Sequence, residues 1–265
     1  MSLRDQNAIV TGASMGIGRE IAKSLAAEGC NVVLFARTAE KLEDLTAEIQ
    51  KTATSKVIYR SVDVQQYDSV KAGVDSAVNE LGEIDILVNN AGLALGAPNR
   101  FHELSIDQIV QMNGTNMNGY MFAAYAVLNA SMAKRKTGTI LNVSSTTALE
   151  APPFPGEAVY HSNKAFQEGF SNSLRNELCG TNIRVLVLRP GVVATNFHEQ
   201  RVGYDKDSYD NFMQGFQPLT PDQIAPHAIW MLKQPNGCSV KALDVIPTAQ
   251  RSLNVFDREW NSRHS

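Results

Sequence analysis

Residues Thr11 to Gly18 read TGASMGIG, between the apolar run NAIV (Asn7–Val10) and the stretch REIAKSLAAEG (Arg19–Gly29), whose apolar residues recur at helical spacing. Three glycines, Gly12, Gly16 and Gly18, therefore sit where a strand hands over to a helix. A helix N-terminus presents unpaired N–H groups and attracts phosphate. Gly12 suits a tight turn, and Gly16 and Gly18 let a pyrophosphate and the neighbouring helix come close to the backbone. Ser14 and Ile17, in the same loop, are placed against the same ligand. The loop lacks the Gly-Lys-Ser/Thr ending of a nucleotide triphosphatase loop. Its position after a first strand points to a dinucleotide.

The remaining chain bounds that reading. Its 265 residues suit one large α/β domain, 1–265, and 43% apolar residues suffice for a sizeable core. The net charge of −3 argues against nucleic acid or an anionic membrane surface as a partner. The one basic cluster, Lys134–Lys136, is expected at a solvated helix end. Cys30, Cys179 and Cys238 are scattered and odd in number, which fits reduced thiols and no metal site. With a polar start, MSLRDQ, and no long apolar run, a cytoplasmic location is expected.

Strands and helices alternate along the chain. NVVLFAR, KVIYRSVDV, DILVNNAG, GTILNVSS, IRVLVLRPG and VKALDVIPT follow the first strand as six more apolar runs. They are continuous rather than alternating, as strands covered on both faces must be. The expected fold is thus a single-domain Rossmann fold, a doubly wound seven-stranded parallel sheet with helices on both faces. One long helix is expected over about 105–134 and another over about 157–179. Thr220 and Pro221 read as N-cap and first residue of a later helix. The polar stretch 196–219 is too long for an ordinary connection and is expected to be a lid or partly helical flap.

Five motifs, in order, resemble the short-chain dehydrogenase/reductase family: the glycine loop, Asp63-Val64, NNAG at Asn89–Gly92, Tyr160-x3-Lys164, and RPGVVAT at Arg189–Thr195. The resemblance is close from about Asn7 to Thr195. It implies hydride transfer between a nicotinamide and a carbonyl or secondary alcohol. Tyr160 is then the general acid/base and Lys164 the cation that lowers its pKa and also bonds the nicotinamide ribose. Asn116 matches the helix-kink residue whose carbonyl holds a water in a proton relay to Lys164. Ser145 matches the substrate-oxygen donor. The family pattern sets that donor thirteen residues before the Tyr, whereas Ser145 lies fifteen before Tyr160 and Thr147 thirteen, so Thr147 is the alternative. The resemblance further implies that Asp63 and Val64 hold the adenine, Asn90 meets the adenosine ribose and Val193 and Thr195 bind the nicotinamide carboxamide, with Ala91, Gly92, Pro190 and Gly191 also bordering the cofactor.

The end of the second strand reads FAR. Ala36 stands at the position where a carboxylate would accept from a ribose 2′-OH, and Arg37 follows it. A guanidinium there suits a 2′-phosphate, so the expected cofactor is NADP(H). The competing role for Arg37 is a surface pair with Glu40 or Glu43. The C-terminal LDVIPTAQRSLNV resembles the NADP-dependent 3-hydroxy-acid and serine dehydrogenases within the family. Arg201 and Lys206 are the possible carboxylate partners in the flap, while the Pro-rich loop APPFPG equally suits a bulkier, apolar carbonyl compound. A dinucleotide-binding sensor or scaffold without turnover is the alternative function; loss of Tyr160 or Lys164 would favour it, and both are present. Phe122, Tyr125, Phe166 and Phe170 give the two long helices more apolar surface than one buried face needs, so a homodimer or homotetramer is expected.

Overall fold

The computed structural model describes residues 1–152 and 154–264. Seven strands form one sheet: β1 (Asn7–Thr11), β2 (Asn31–Ala36), β3 (Val57–Ser61), β4 (Ile86–Asn89), β5 (Thr137–Val143), β6 (Asn182–Pro190) and β7 (Ala242–Val245). Their order is β3-β2-β1-β4-β5-β6-β7, every pair parallel. The winding reverses between β1 and β4, so a crevice opens outside the carboxyl ends of those strands.

The apolar runs are continuous because both faces are covered. On β1, Ala8 and Val10 enter the core beneath helices α1 (Gly16–Ala27) and α2 (Ala39–Gln50), and Ile9 enters the opposite core beneath α3 (Tyr67–Leu81). Each such side chain is fully buried and contributes about 1.5–3 kcal/mol, Ala8 less. Helix α1 ends where Gly29 takes a left-handed φ of 84° and its N–H returns to the Ala26 carbonyl at 3.0 Å.

The expected unbroken helix over 105–134 is instead three α segments, α4 (Ile106–Asn113), α5 (Gly119–Val127) and α6 (Ala133–Arg135), joined by π turns at Gly114–Asn118 and Leu128–Met132. The first turn lies where the loop after β3 presses on the helix. A Cβ on Gly114 would fall 2.7 Å from the Gln65 amide oxygen, and one on Gly119 would fall 2.9 Å from Val64 Cγ2. The second places Ser131 Oγ to accept from the Ile84 N–H at 2.8 Å. Helix α7 (Ala158–Glu177) is slightly shorter than the expected 157–179. The stretch 196–219 holds two short helices, α8 (Asn196–Arg201) and α9 (Lys206–Met213). Helix α10 (Pro221–Leu232) opens on Thr220, which forms a capping box with Gln223. A last helix, α11, spans Trp260–His264.

Candidate active site

One cleft of about 440 Å³ lies along the carboxyl ends of the strands, a size suited to a bound cofactor and small substrate. Its walls include Gly12, Ser14, Gly16 and Ile17 after β1, Arg37 after β2, Asp63 and Val64 after β3, and Asn90, Ala91 and Gly92 after β4. Pro190, Gly191, Val193 and Thr195 close it after β6, and Ser145, Thr147, Tyr160 and Lys164 form its floor.

The glycine loop is held by its neighbours. Thr11 Oγ1 accepts from the N–H groups of Asn90 and Ala91 at 3.0 and 3.1 Å. Asn90 Nδ2 donates to the carbonyls of Thr11 and Gly12 at 3.1 and 3.2 Å, so only its amide oxygen is left for a ligand. Gly12 and Gly16 take φ of 64° and 58°, which a side chain would strain. Gly18 does not line the cleft: a Cβ there would meet Asn90 Nδ2 at 2.3 Å and the Gly12 carbonyl at 2.5 Å. It is the packing glycine of the loop.

Arg37 faces the adenosine end and, among the described residues, pairs with neither Glu40 nor Glu43. Lys41, one turn into α2, joins it in the wall. Nothing in the motifs singled Lys41 out. Two cations in this part of the wall fit a phosphate on the ribose.

Tyr160 and Lys164 are one turn apart on α7 and both buried. The Lys164 ammonium lies 5.7 Å from the centre of the Tyr160 ring. The Tyr160 phenol is pushed up from its ordinary pKa, not down. Burial is the largest cause and outweighs the opposing Arg201 charge and Ser145 hydroxyl, while Glu157 adds to the rise. This overturns the expected depressed value, which weighed the ammonium and not the desolvation. Burial also lowers Lys164 to about 7, with Glu168 opposing.

Ser145 Oγ donates to Thr147 Oγ1 and accepts from the Thr147 N–H, both at 3.1 Å. Both hydroxyls reach the cleft that Tyr160 lines. His161 is turned away from the cleft and holds the Thr147 carbonyl through Nδ1. Asn116 is fully buried behind the floor and does not line the cleft. Its carbonyl accepts from Gln167 Nε2 at 2.8 Å, and Gln167 Oε1 accepts from Lys164 Nζ at 3.1 Å. The Gln167 side chain thus links the Asn116 carbonyl to the Lys164 ammonium.

The flap supplies the other wall, with Phe197, His198, Arg201 and Phe212. Arg201 is buried, its Nε bonded to the Glu157 carboxylate and its Nη1 3.3 Å from His198 Nδ1. Burial and the Arg201 charge bring His198 down to about 3, so its imidazole is neutral. The guanidinium lies 5.1 Å from the ring of Phe154 in the Pro-rich loop, of which Pro153 lies outside the described residues. Lys206 is exposed, paired with Asp210, and absent from the cleft.

A parallel sheet with a phosphate-ready loop at its switch point and a Tyr–Lys pair facing the same crevice define a nucleotide-dependent oxidoreductase. The chain belongs to the short chain dehydrogenase family, whose profile matches residues 6–204. It is 34% identical to an NADP-dependent 3-hydroxy acid dehydrogenase of Schizosaccharomyces pombe over 95% of this chain and 96% of that protein. It is 34% identical to a sulfoacetaldehyde reductase of Chromohalobacter salexigens, over 91% and 93%. Among solved structures, a closed form of serine dehydrogenase complexed with NADP+ superposes with a TM-score of 0.85 at 32% identity, covering 92% of this chain and 96% of that one.

Proposed function

We propose that this protein is an NADP(H)-dependent oxidoreductase acting on the hydroxyl or carbonyl group of a small organic acid. The observation that carries the substrate class is Arg201, a buried guanidinium in the same cleft as Tyr160. Its Nε and Nη1 are engaged, and its Nη2 has no hydrogen-bond partner among the described residues. A carboxylate or sulfonate is the group such a donor recognises. The relatives that act on 3-hydroxy acids and sulfoacetaldehyde are consistent with it.

NADP(H) supplies or accepts the hydride when bound. The loop from Gly12 to Ile17 offers N–H groups to its pyrophosphate, Arg37 and Lys41 hold the 2′-phosphate, and Asp63 and Val64 border the adenine. Ser145 donates to the substrate oxygen. Tyr160 gives that oxygen a proton in reduction and removes it in oxidation. The Lys164 ammonium favours the phenolate as it forms. Asn116, through Gln167, fixes the ammonium from behind.

Phe197 and Phe212 in the flap favour a second reading, a bulkier apolar ketone or aldehyde. Turnover of a 3-hydroxy acid against its methyl ester decides between them. The acid is expected to be at least about tenfold better in kcat/KM, the value of one charge-assisted hydrogen bond. Equal values would sink the acid reading.

The protein works as a homodimer or homotetramer in the cytoplasm. Ile106 and Val110 on α4 and Tyr125 on α5 are exposed, and Phe166 and Phe170 stack half-buried on α7. That surface supports pairing of these helices across a twofold axis. No helix among the described residues is long and apolar enough to cross a membrane.

A further inference from the structure

Behind Tyr160 lies a polar cluster sealed from solvent. Gln167 has no exposed surface, one turn beyond Lys164 on α7. Its Oε1 accepts from the Lys164 ammonium at 3.1 Å, and its Nε2 donates to the Asn116 carbonyl at 2.8 Å. An ammonium can only donate and a carbonyl can only accept, so these partners allow one orientation of the carboxamide. The Tyr120 hydroxyl donates to the Val143 carbonyl at 2.5 Å. That carbonyl is the other protein acceptor of Lys164, at 3.2 Å.

We propose that Gln167 is a positioning residue for Lys164: its carboxamide clamps the ammonium to the Asn116 carbonyl and favours the charged form of the lysine. An amide oxygen aimed at a desolvated ammonium stabilises the ion and not the neutral amine. Burial alone drives Lys164 toward neutrality, and the protein opposes it with two carbonyl-type acceptors. The titratable groups facing Lys164 are Tyr160 and Glu168 on α7 and Tyr120 on α5, whose ring centre lies 5.7 Å from Nζ. From the loop after β4 it meets Gly92, and from β5 the Val143 carbonyl, neither of which titrates. The clamp concerns the lysine that the reading above makes catalytic, yet it can be tested without turnover.

The test is a titration of the full chain without nucleotide, carrying lysine labelled with carbon-13 at Cε, with Lys164 assigned by its loss in Lys164→Met. Gln167→Leu removes the acceptor at similar volume and is expected to lower the Lys164 midpoint by about one pH unit, the size of a lost hydrogen bond to the charged form. Gln167→Glu places a carboxylate there and is expected to raise it. A shift in opposite directions is not something a packing role produces. An unchanged midpoint in Gln167→Leu, with wild-type circular dichroism and melting, overturns the proposal. If Gln167→Leu does not fold, the titration of Gln167→Glu decides: a midpoint at or below that of the unmutated protein overturns it as well. Should the midpoints move while no substrate is turned over, the clamp stands and the catalytic reading falls.

Discussion

Arg201 at the end of α8 donates through Nε to the carboxylate of Glu157, which immediately precedes α7, and both side chains are buried. The pair ties the flap to the helix that carries Tyr160. It also sets the charge of the cleft wall. The carboxylate balances the guanidinium, burial pushes the Glu157 carboxyl up, and Arg201 pulls it down. Removing one partner leaves the other charged and desolvated. Glu157→Gln should therefore cost about 3–5 kcal/mol of stability, with a drop of about 2–4 °C in Tm per kcal/mol for a chain of this length. The same change frees the Arg201 charge for substrate, so KM for acids should fall and added carboxylate should raise the Tm of the variant. The double variant Glu157→Met, Arg201→Met should recover most of the stability and lose the preference for acids. Thermal melts with and without carboxylate check both halves. A Glu157→Gln protein as stable as the original would show that the pair is structurally idle.

The proposed hold on the 2′-phosphate falls to Arg37 and Lys41, which line the cleft where the second strand ends. Arg37 is exposed, so its contact with phosphate is screened and sits at the low end for charge-assisted bonds. NADPH should bind about tenfold or more tightly than NADH. Arg37→Ala should remove most of that preference, and Lys41→Ala a smaller part. Fluorescence titration of both nucleotides gives the ratio directly. Equal affinities in the unmutated protein would falsify the assignment.

The two hydroxyls on the cleft floor differ in their partners. Ser145 Oγ donates to Thr147 Oγ1 and accepts from the Thr147 N–H, both at 3.1 Å, so Ser145 is held in place and Thr147 does the holding. Ser145→Ala should reduce kcat by about 10²–10³, the range for losing one donor to a developing oxyanion. Thr147→Val should change it only a few-fold. The reverse ranking would make Thr147 the donor.

Much of this is legible in the sequence alone, and the reasons are local. Gly12, Gly16, Arg37, Tyr160 and Lys164 fall in short motifs whose members lie within a turn or a loop of one another, so spacing singles them out. The two-face burial of Ile9 and Val10 is likewise written in the unbroken apolar run of β1. The parts that were not legible join distant elements. Gln167 meets Asn116 from 51 positions away, and Arg201 meets Glu157 from 44. Lys41 is one charge among many on α2, and only the fold turns it toward the cleft. The direction of the Tyr160 shift was misjudged because desolvation depends on packing, which no motif encodes.

Assembly makes a separate prediction. Ile106, Val110 and Tyr125 leave an apolar strip on α4 and α5 in a single chain. The proposed dimer or tetramer would bury it. Light scattering at micromolar protein should give a twofold or fourfold mass, and Tyr125→Glu should shift it toward the single chain. A monomer for the unmutated protein would remove the proposal.

The chemistry predicts opposite pH responses for the two directions of turnover. Burial keeps the Tyr160 phenol protonated through the neutral range, and Lys164, lowered to about 7, carries its charge only below that value. Reduction needs the protonated phenol and the ammonium together. Its kcat/KM should be flat below about pH 7 and fall above it, as the ammonium is lost. Oxidation needs the phenolate. The phenolate fraction rises tenfold per pH unit, so kcat/KM should climb below about 7 and level off above, where loss of the ammonium cancels the gain. Tyr160→Phe keeps the ring in its packing against Phe197, so folding and NADPH binding should survive. Turnover should fall by about 10²–10⁴ in both directions, and the climb on the oxidation side should vanish with it. Matching pH profiles in the two directions would mean that another group carries the proton.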